Sequence, residues 1–256
     1  ECAGVCSDGA CDCSAPTWFE PASGNGPWRP ELLDPRWARA PVFELCENAD
    51  FTTCPTANEP PGFRAVIERG TLSVAFYNPA DDDQTGDDAV FIGIASPNGS
   101  NVVVGKILLD TVAEPVGVPS GLPSDAEPPA PNAASTVSWS SVSSATNGSS
   151  LTLGIPDWLH SVASWRAPPD FPSGGWAITF KVDLARLGHT VPISTPVRLF
   201  VGTRYQKSDD TTVSLPNITS DTVAGADTIV PANKTSPGWV DFTPPEPGCT
   251  GGISLP

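Results

Sequence analysis

Thirty prolines and 23 glycines stand among the 256 residues of this chain. Together they make up roughly a fifth of it, against a usual share of about an eighth. Proline fixes φ and removes a backbone donor, and glycine admits turn conformations that other residues resist. Helices of ordinary length do not survive such punctuation. What can survive is a set of short strands joined by many loops, and a period of two in the apolar residues is the signature to look for.

That period is clearest over 176–184, where Trp176, Ile178, Phe180, Val182 and Leu184 point one way and Ala177, Thr179, Lys181 and Asp183 the other. Residues 63–69 and 71–77 alternate too, with Leu72, Val74 and Phe76 on one face. The almost wholly apolar run 89–95 predicts a strand covered on both faces. The turn Pro97-Asn98-Gly99 then predicts a hairpin into 101–109. Weaker strands are expected at 136–142 and 151–154, a strong one at 196–204, and short ones near 228–230 and 239–242. Asp157 is placed to cap one helical turn over 156–159.

About nine or ten strands without a long helix predict an all-β fold, a two-sheet antiparallel β-sandwich of jelly-roll type with long loops. Residues 1–30 read as a Cys-rich N-terminal arm, 31–245 as the sandwich, 110–135 as a Pro-rich loop inserted in it, and 246–256 as a C-terminal tail.

Charge narrows the class of partner. Thirteen basic residues against 29 acidic ones leave a net charge of −16, and the cations do not cluster. Nucleic acid and anionic membrane surfaces would be repelled. No apolar run approaches the length of about 20 residues that spans a bilayer. Seven cysteines without a C-x-x-C pair fit disulfides in an oxidising compartment better than a metal cluster. Cys46 and Cys54 are the expected pair, and Cys249 could join one of Cys2, Cys6, Cys11 and Cys13. An odd count leaves one thiol free or bonded to another molecule. With Glu1 first and no methionine, the chain reads as a secreted or cell-surface protein after loss of its leader.

The order of several segments is also informative. Asp34-Pro35-Arg36-Trp37-Ala38-Arg39-Ala40-Pro41, TLSVAFY at 71–77, GDDAVFIGI at 86–94, GGWAITFKVDLARLG at 174–188 and SPGWVDF at 236–242 follow one another along most of the chain. This series resembles the family-9 carbohydrate-binding modules and, more widely, the haem- and sugar-binding sandwiches of the DOMON type. The resemblance implies a β-sandwich that holds a sugar between two indoles and carries structural calcium. It departs from the family where a late-strand carboxylate is replaced by Thr179 or Lys181, and the Cys-rich arm and the 110–135 loop have no counterpart in it.

Candidate chemistry follows from residue types. Asp81, Asp83, Asp87 and Asp88, in a run with Asp82, could offer hard oxygens to calcium; the alternative is a solvated acidic turn. Of eight tryptophans, Trp37, Trp176 and Trp239 fall on the motifs and are expected in the core, whereas Trp18 and Trp28 lie in the arm. Trp139, Trp158 and Trp165 remain as candidate carbohydrate-binding platforms, with ordinary packing as the competing role. His160 and His189 are the only histidines, a poor basis for haem, and His189 is expected on a surface turn. Asn98, Asn147, Asn217 and Asn233 each begin an N-glycan acceptor triplet. No nucleophile elbow, zinc-protease helix or phosphate loop is present, so the chain is not expected to be an enzyme. Two functions stay in view: a non-catalytic carbohydrate-binding protein, or a structural subunit of a cell-surface fibre, layer or filament built from copies of itself.

Overall fold

A computed structural model describes residues 42–45, 61–68, 70–78, 80–81, 88–109, 135–143, 151–166, 176–191, 193, 195–217, 222, 228–231, 233–234, 238–246 and 250–254, with short pieces at 6–7 and 10–11. The strands are β1 (Cys6–Ser7), β2 (Ala10–Cys11), β3 (Val42–Glu44), β4 (Gly62–Glu68), β5 (Thr71–Asn78), β6 (Ala89–Ala95), β7 (Asn101–Leu109) and β8 (Ser135–Ser143). They continue as β9 (Thr152–Leu153), β10 (Leu159–Arg166), β11 (Trp176–Asp183), β12 (Val197–Gln206), β13 (Thr212–Leu215), β14 (Trp239–Glu246) and β15 (Thr250–Ser254). No helix among the described residues is long and apolar enough to cross a membrane.

Two antiparallel sheets pack into a β-sandwich, as the alternation predicts. One has five strands in the order β10-β11-β5-β4-β3; the other has eight, in the order β15-β14-β12-β6-β7-β8-β9 with β13 beside the far half of β12. Register follows the apolar pattern. Phe180 stands opposite Val74, and Val74 opposite Ala65, so one face of the five-stranded sheet is continuous. Val201 stands opposite Ile92, and Ile92 opposite Gly105, on the facing side of the other sheet. Phe63, Leu72, Phe76, Ile178, Phe180 and Val182 close on Val90, Ile92, Ile94, Leu199, Val201 and Phe242 in one buried core. At about 25 cal/mol per Å2 of apolar area removed from water, such interdigitated faces supply most of what holds the layers together.

Strand β6 is buried at every position. Its odd-facing residues belong to a second cluster on the outer side of the eight-stranded sheet, where Phe91, Phe200 and Trp239 pack with Ile229 and Val230. The backbone carrying Ile229 and Val230 is not a strand, although the apolar triplet 228–230 predicts one; its one ladder contact is an isolated bridge between Thr222 and Pro231. It is held instead by the indole N–H of Trp239, which donates to the Pro231 carbonyl at 3.1 Å. Gly93 makes this possible, because a Cβ there would lie 2.6 Å from Val230 Cγ1.

Other departures have equally local causes. The 156–159 segment is a reverse turn closed by Leu159 N–H on the Pro156 carbonyl, not a helical turn, and Asp157 pairs with Arg186 at 3.3 Å instead of capping. The segment expected as a tail contributes β15, which pairs with β14. Strands β3, β10 and β13 were not expected, being short or broken by polar residues. His189, expected on the surface, is buried at 6% exposure, with Nε2–H donating to the Ala95 carbonyl at 3.1 Å. The Gly188 turn carries it back against the other sheet. Residues 110–134, Trp18, Trp28, Trp37, Cys46, Cys54 and Cys249 lie outside the described residues.

Candidate functional site

Two of the three expected sugar platforms, Trp139 and Trp158, are neighbours of Gly105 on β7. Trp139 lies on β8, the penultimate strand of the eight-stranded sheet, directly opposite Gly105 of β7. It is half-buried and packs against the main core. Trp158 belongs to the reverse turn that carries the chain from β9, the sheet edge, into β10 of the facing sheet. A Cβ on Gly105 would stand 3.3 Å from Trp158 Cη2. Gly105 is thus paired through its backbone with Trp139 and packed against the Trp158 ring, and a Cβ there would also meet Ile92 Cγ2 at 3.0 Å.

The two indoles differ in what they leave open. Trp158 is 3% exposed, and its Nε1–H is buried without a hydrogen-bond partner among the described residues. Such an orphan donor costs on the order of 1–3 kcal/mol relative to a satisfied one. Trp139 keeps part of its ring toward solvent. Beside them the edge is apolar: Leu153 is 74% exposed and Ile155 49%. Trp165, the third candidate, lies on β10 with its backbone opposite Ala177, toward the other end of the β10–β11 pair from Trp158, whose carbonyl accepts the Asp183 N–H.

The acidic run lies elsewhere, between β5 and β6. Its ends are buried: Asp81 and Asp88 are both 0% exposed. Asp88 Oδ1 accepts the Gln206 N–H at 3.3 Å, which ties the run to β12, and Asn78 Oδ1 accepts the Ala80 N–H at 3.1 Å just before it. Asp83 and Asp87 lie outside the described residues, and no cluster of three or more metal-capable side chains occurs among those described.

A feature not anticipated from sequence is the pair of cations on the outer face of the eight-stranded sheet. Lys106 Nζ and Arg204 Cζ stand 5.9 Å and 5.4 Å from the centre of the Phe91 ring. Register explains it: Lys106 is directly opposite Phe91 on β7, and Arg204 is displaced by two residues from Gly202, its partner on β12. Alternation alone would assign Lys106 to water. Cation–π attraction of roughly 0.5–2 kcal/mol each lets both stems cover an aromatic ring that has no facing sheet.

Among acceptor triplets, Asn98 lies exposed at the β6–β7 hairpin tip, Asn217 and Asn233 are exposed, and Asn147 falls outside the described residues. Comparison with known proteins finds no matching family model, no similar curated protein and no similar solved structure.

Proposed function

We propose that this chain is a non-catalytic, extracellular carbohydrate-binding module, with Trp139 as the stacking surface. One observation carries the reading: half-buried Trp139 stands in the ladder opposite Gly105, the glycine against which the buried Trp158 ring packs, at an apolar edge of the sandwich. An indole face buries the C–H face of a sugar ring while polar neighbours receive its hydroxyls. Thr152, opposite Trp139 in the ladder, stands where such a neighbour is needed. Buried Trp158 lies under this edge, and Trp165, farther along β10, is a separate candidate platform. The resemblance in segment order to family-9 modules supports the same reading. Titration calorimetry against a panel of soluble glycans tests it. Heat with at least one glycan, lost in Trp139→Ala, is expected; no heat with any of them would overturn it.

Calcium belongs to the same proposal, held by the acidic run through the buried Asp81 and Asp88 carboxylates together with Asp83 and Asp87. Thermal melting with added calcium and with chelator tests this, and identical midpoints would remove the metal from the reading.

A second reading, a structural subunit of a surface assembly, has its own observation. Strand β9 pairs with only Ser138 and Trp139 of the nine-residue β8, so among the described residues much of that edge carries no partner strand. An open edge beside exposed Leu153 can add a strand from another copy. Light scattering and non-reducing electrophoresis of the native protein separate the readings; a reversible monomer with no intermolecular disulfide would leave only the first.

A further inference from the structure

We propose that Asn98 is an N-glycan attachment site, presented for modification by the hairpin that carries it. This rests on the reading of the chain as secreted and not on its binding a glycan itself.

The triplet Asn98-Gly99-Ser100 forms the tip of the β6–β7 hairpin, and both Asn98 and Ser100 are exposed. Three donors converge on Asn98 Oδ1: the Ser100 hydroxyl at 2.6 Å, the Ser100 N–H at 3.0 Å and the Ser96 hydroxyl at 2.8 Å. The bond from the N–H two residues on is an Asx turn. With Oδ1 fixed in this way, the side-chain nitrogen Nδ2 points away from the turn and makes no hydrogen bond among the described residues. An acceptor triplet supplies an asparagine amide and a hydroxyl two residues on, in a surface loop. Here they are in contact, and the nitrogen that must react is the free end.

The conformation is local, which matters for a modification made while the chain is still being threaded and folded. Ser96 N–H donates to Asn101 O at 2.9 Å, Gly99 N–H to Ser96 O at 2.8 Å, and Asn101 N–H to the Ser96 hydroxyl at 3.0 Å. Gly99 takes φ +68°, which glycine adopts without strain. Every bond of the turn closes within residues 96–101, so it needs no distant strand to form. In the folded protein Asn98 is exposed at the tip beyond the end of the ladder formed by Ala95 and Val102, with the Lys234 amine beside Gly99. The hydroxyl residues Thr219 and Thr235 of the Asn217 and Asn233 triplets lie outside the described residues.

In the transfer, Nδ2 displaces the diphosphate of a lipid-linked glycosyl diphosphate. The C1–O bond of the donor sugar breaks and the C1–Nδ2 bond forms. One amide proton passes to a base of the transferase, and the lipid diphosphate leaves with both electrons of the broken bond.

The test is to secrete the full chain from a eukaryotic host and map its glycans by intact mass and by peptide mass spectrometry after enzymatic release in heavy-oxygen water, which marks each occupied asparagine as labelled aspartate. Label at Asn98 is expected. Asn98→Gln and Ser100→Ala should each lose one glycan's mass while the labelling of the other acceptor triplets is unchanged, and Ser100→Thr should retain the glycan. Thermal melting of each variant shows that the sandwich still forms. An unlabelled Asn98 in secreted, folded wild-type protein overturns the proposal, as does occupancy that survives Ser100→Ala.

Discussion

The two faces of the eight-stranded sheet are buried by different means. The inner face meets a second sheet, and its Val90, Ile92 and Ile94 interleave with Phe76, Ile178 and Phe180 as two pleated surfaces do. The outer face meets irregular chain, with Phe91, Phe200 and Trp239 lying under Ile229 and Val230. Alternation suffices to build the first. The second also needs notches: a Cβ at Gly93, Gly202 or Gly238 would come within 3.0 Å of a neighbouring side chain. A regular face can be specified by period alone, whereas a face covered by a loop is specified by where side chains are missing.

The largest effect should come from the inner face. Phe180 is fully buried between two sheets that cannot close on a void, so Phe180→Ala is expected to cost about 3–5 kcal/mol. Phe91→Ala, equally buried but covered by chain free to settle, should cost less, toward about 3 kcal/mol. Chemical denaturation of both variants measures the difference. A larger loss at Phe91 would break the contrast between a rigid and a yielding cover.

Next comes the notch. Gly93→Ala places a methyl 2.6 Å from Val230 Cγ1 and 2.9 Å from Trp239 Cη2, and overpacking of this kind costs about 1–3 kcal/mol. Val230→Ala in the same chain should return part of that loss, because it removes the atom that is met first. A double-mutant cycle by denaturation reads the coupling, and strict additivity of the two changes would show that the outer cover does not seat at Gly93.

The same contrast explains what was legible beforehand. Strands β5, β6, β7, β11 and β12 could be read because their burial follows sequence period, including the wholly buried β6. Residues 228–230 look like a strand because Thr, Ile and Val favour one, yet they are a cover whose conformation is set by Trp239 and Gly93. His189 sits in a turn that composition assigns to water, and Trp158 fits either a platform or packing; the fold buries both. For the candidate site, Trp139 and Trp158 could be named singly as platforms. That both neighbour Gly105 depends on β8 pairing with β7 and on the crossing from β9 to β10, and neither is written in any local pattern.

A smaller effect is expected where the cover is tied. Trp239→Phe keeps most of the ring but removes the N–H donated to the Pro231 carbonyl, a loss of about 1 kcal/mol. Hydrogen exchange should quicken at 228–231 while the amides of β5 and β11 keep their protection. Uniform quickening across both sheets would instead make the cover part of one cooperative unit with the inner core.

The smallest effect lies at the seam between the layers, where His189 reaches from the turn after β11 to the Ala95 carbonyl at the end of β6. Burial lowers its pKa below the ordinary imidazole value of 6.5, and the bond to Ala95 offsets this only in part. The unfolded chain therefore takes up this proton at a higher pH than the folded protein does. The stability of the neutral, buried ring is complete above pH 6.5 and is lost as pH falls from there through the folded value. His189→Gln, whose amide can still donate to Ala95, should be less sensitive to pH across that window than the wild type. Acidic side chains are the same in both proteins, so the difference between the two denaturation profiles isolates the ring. Superimposable profiles between pH 7 and pH 5 would mean that the imidazole is solvated enough to ionise in place, and that the seam is as yielding as the outer cover.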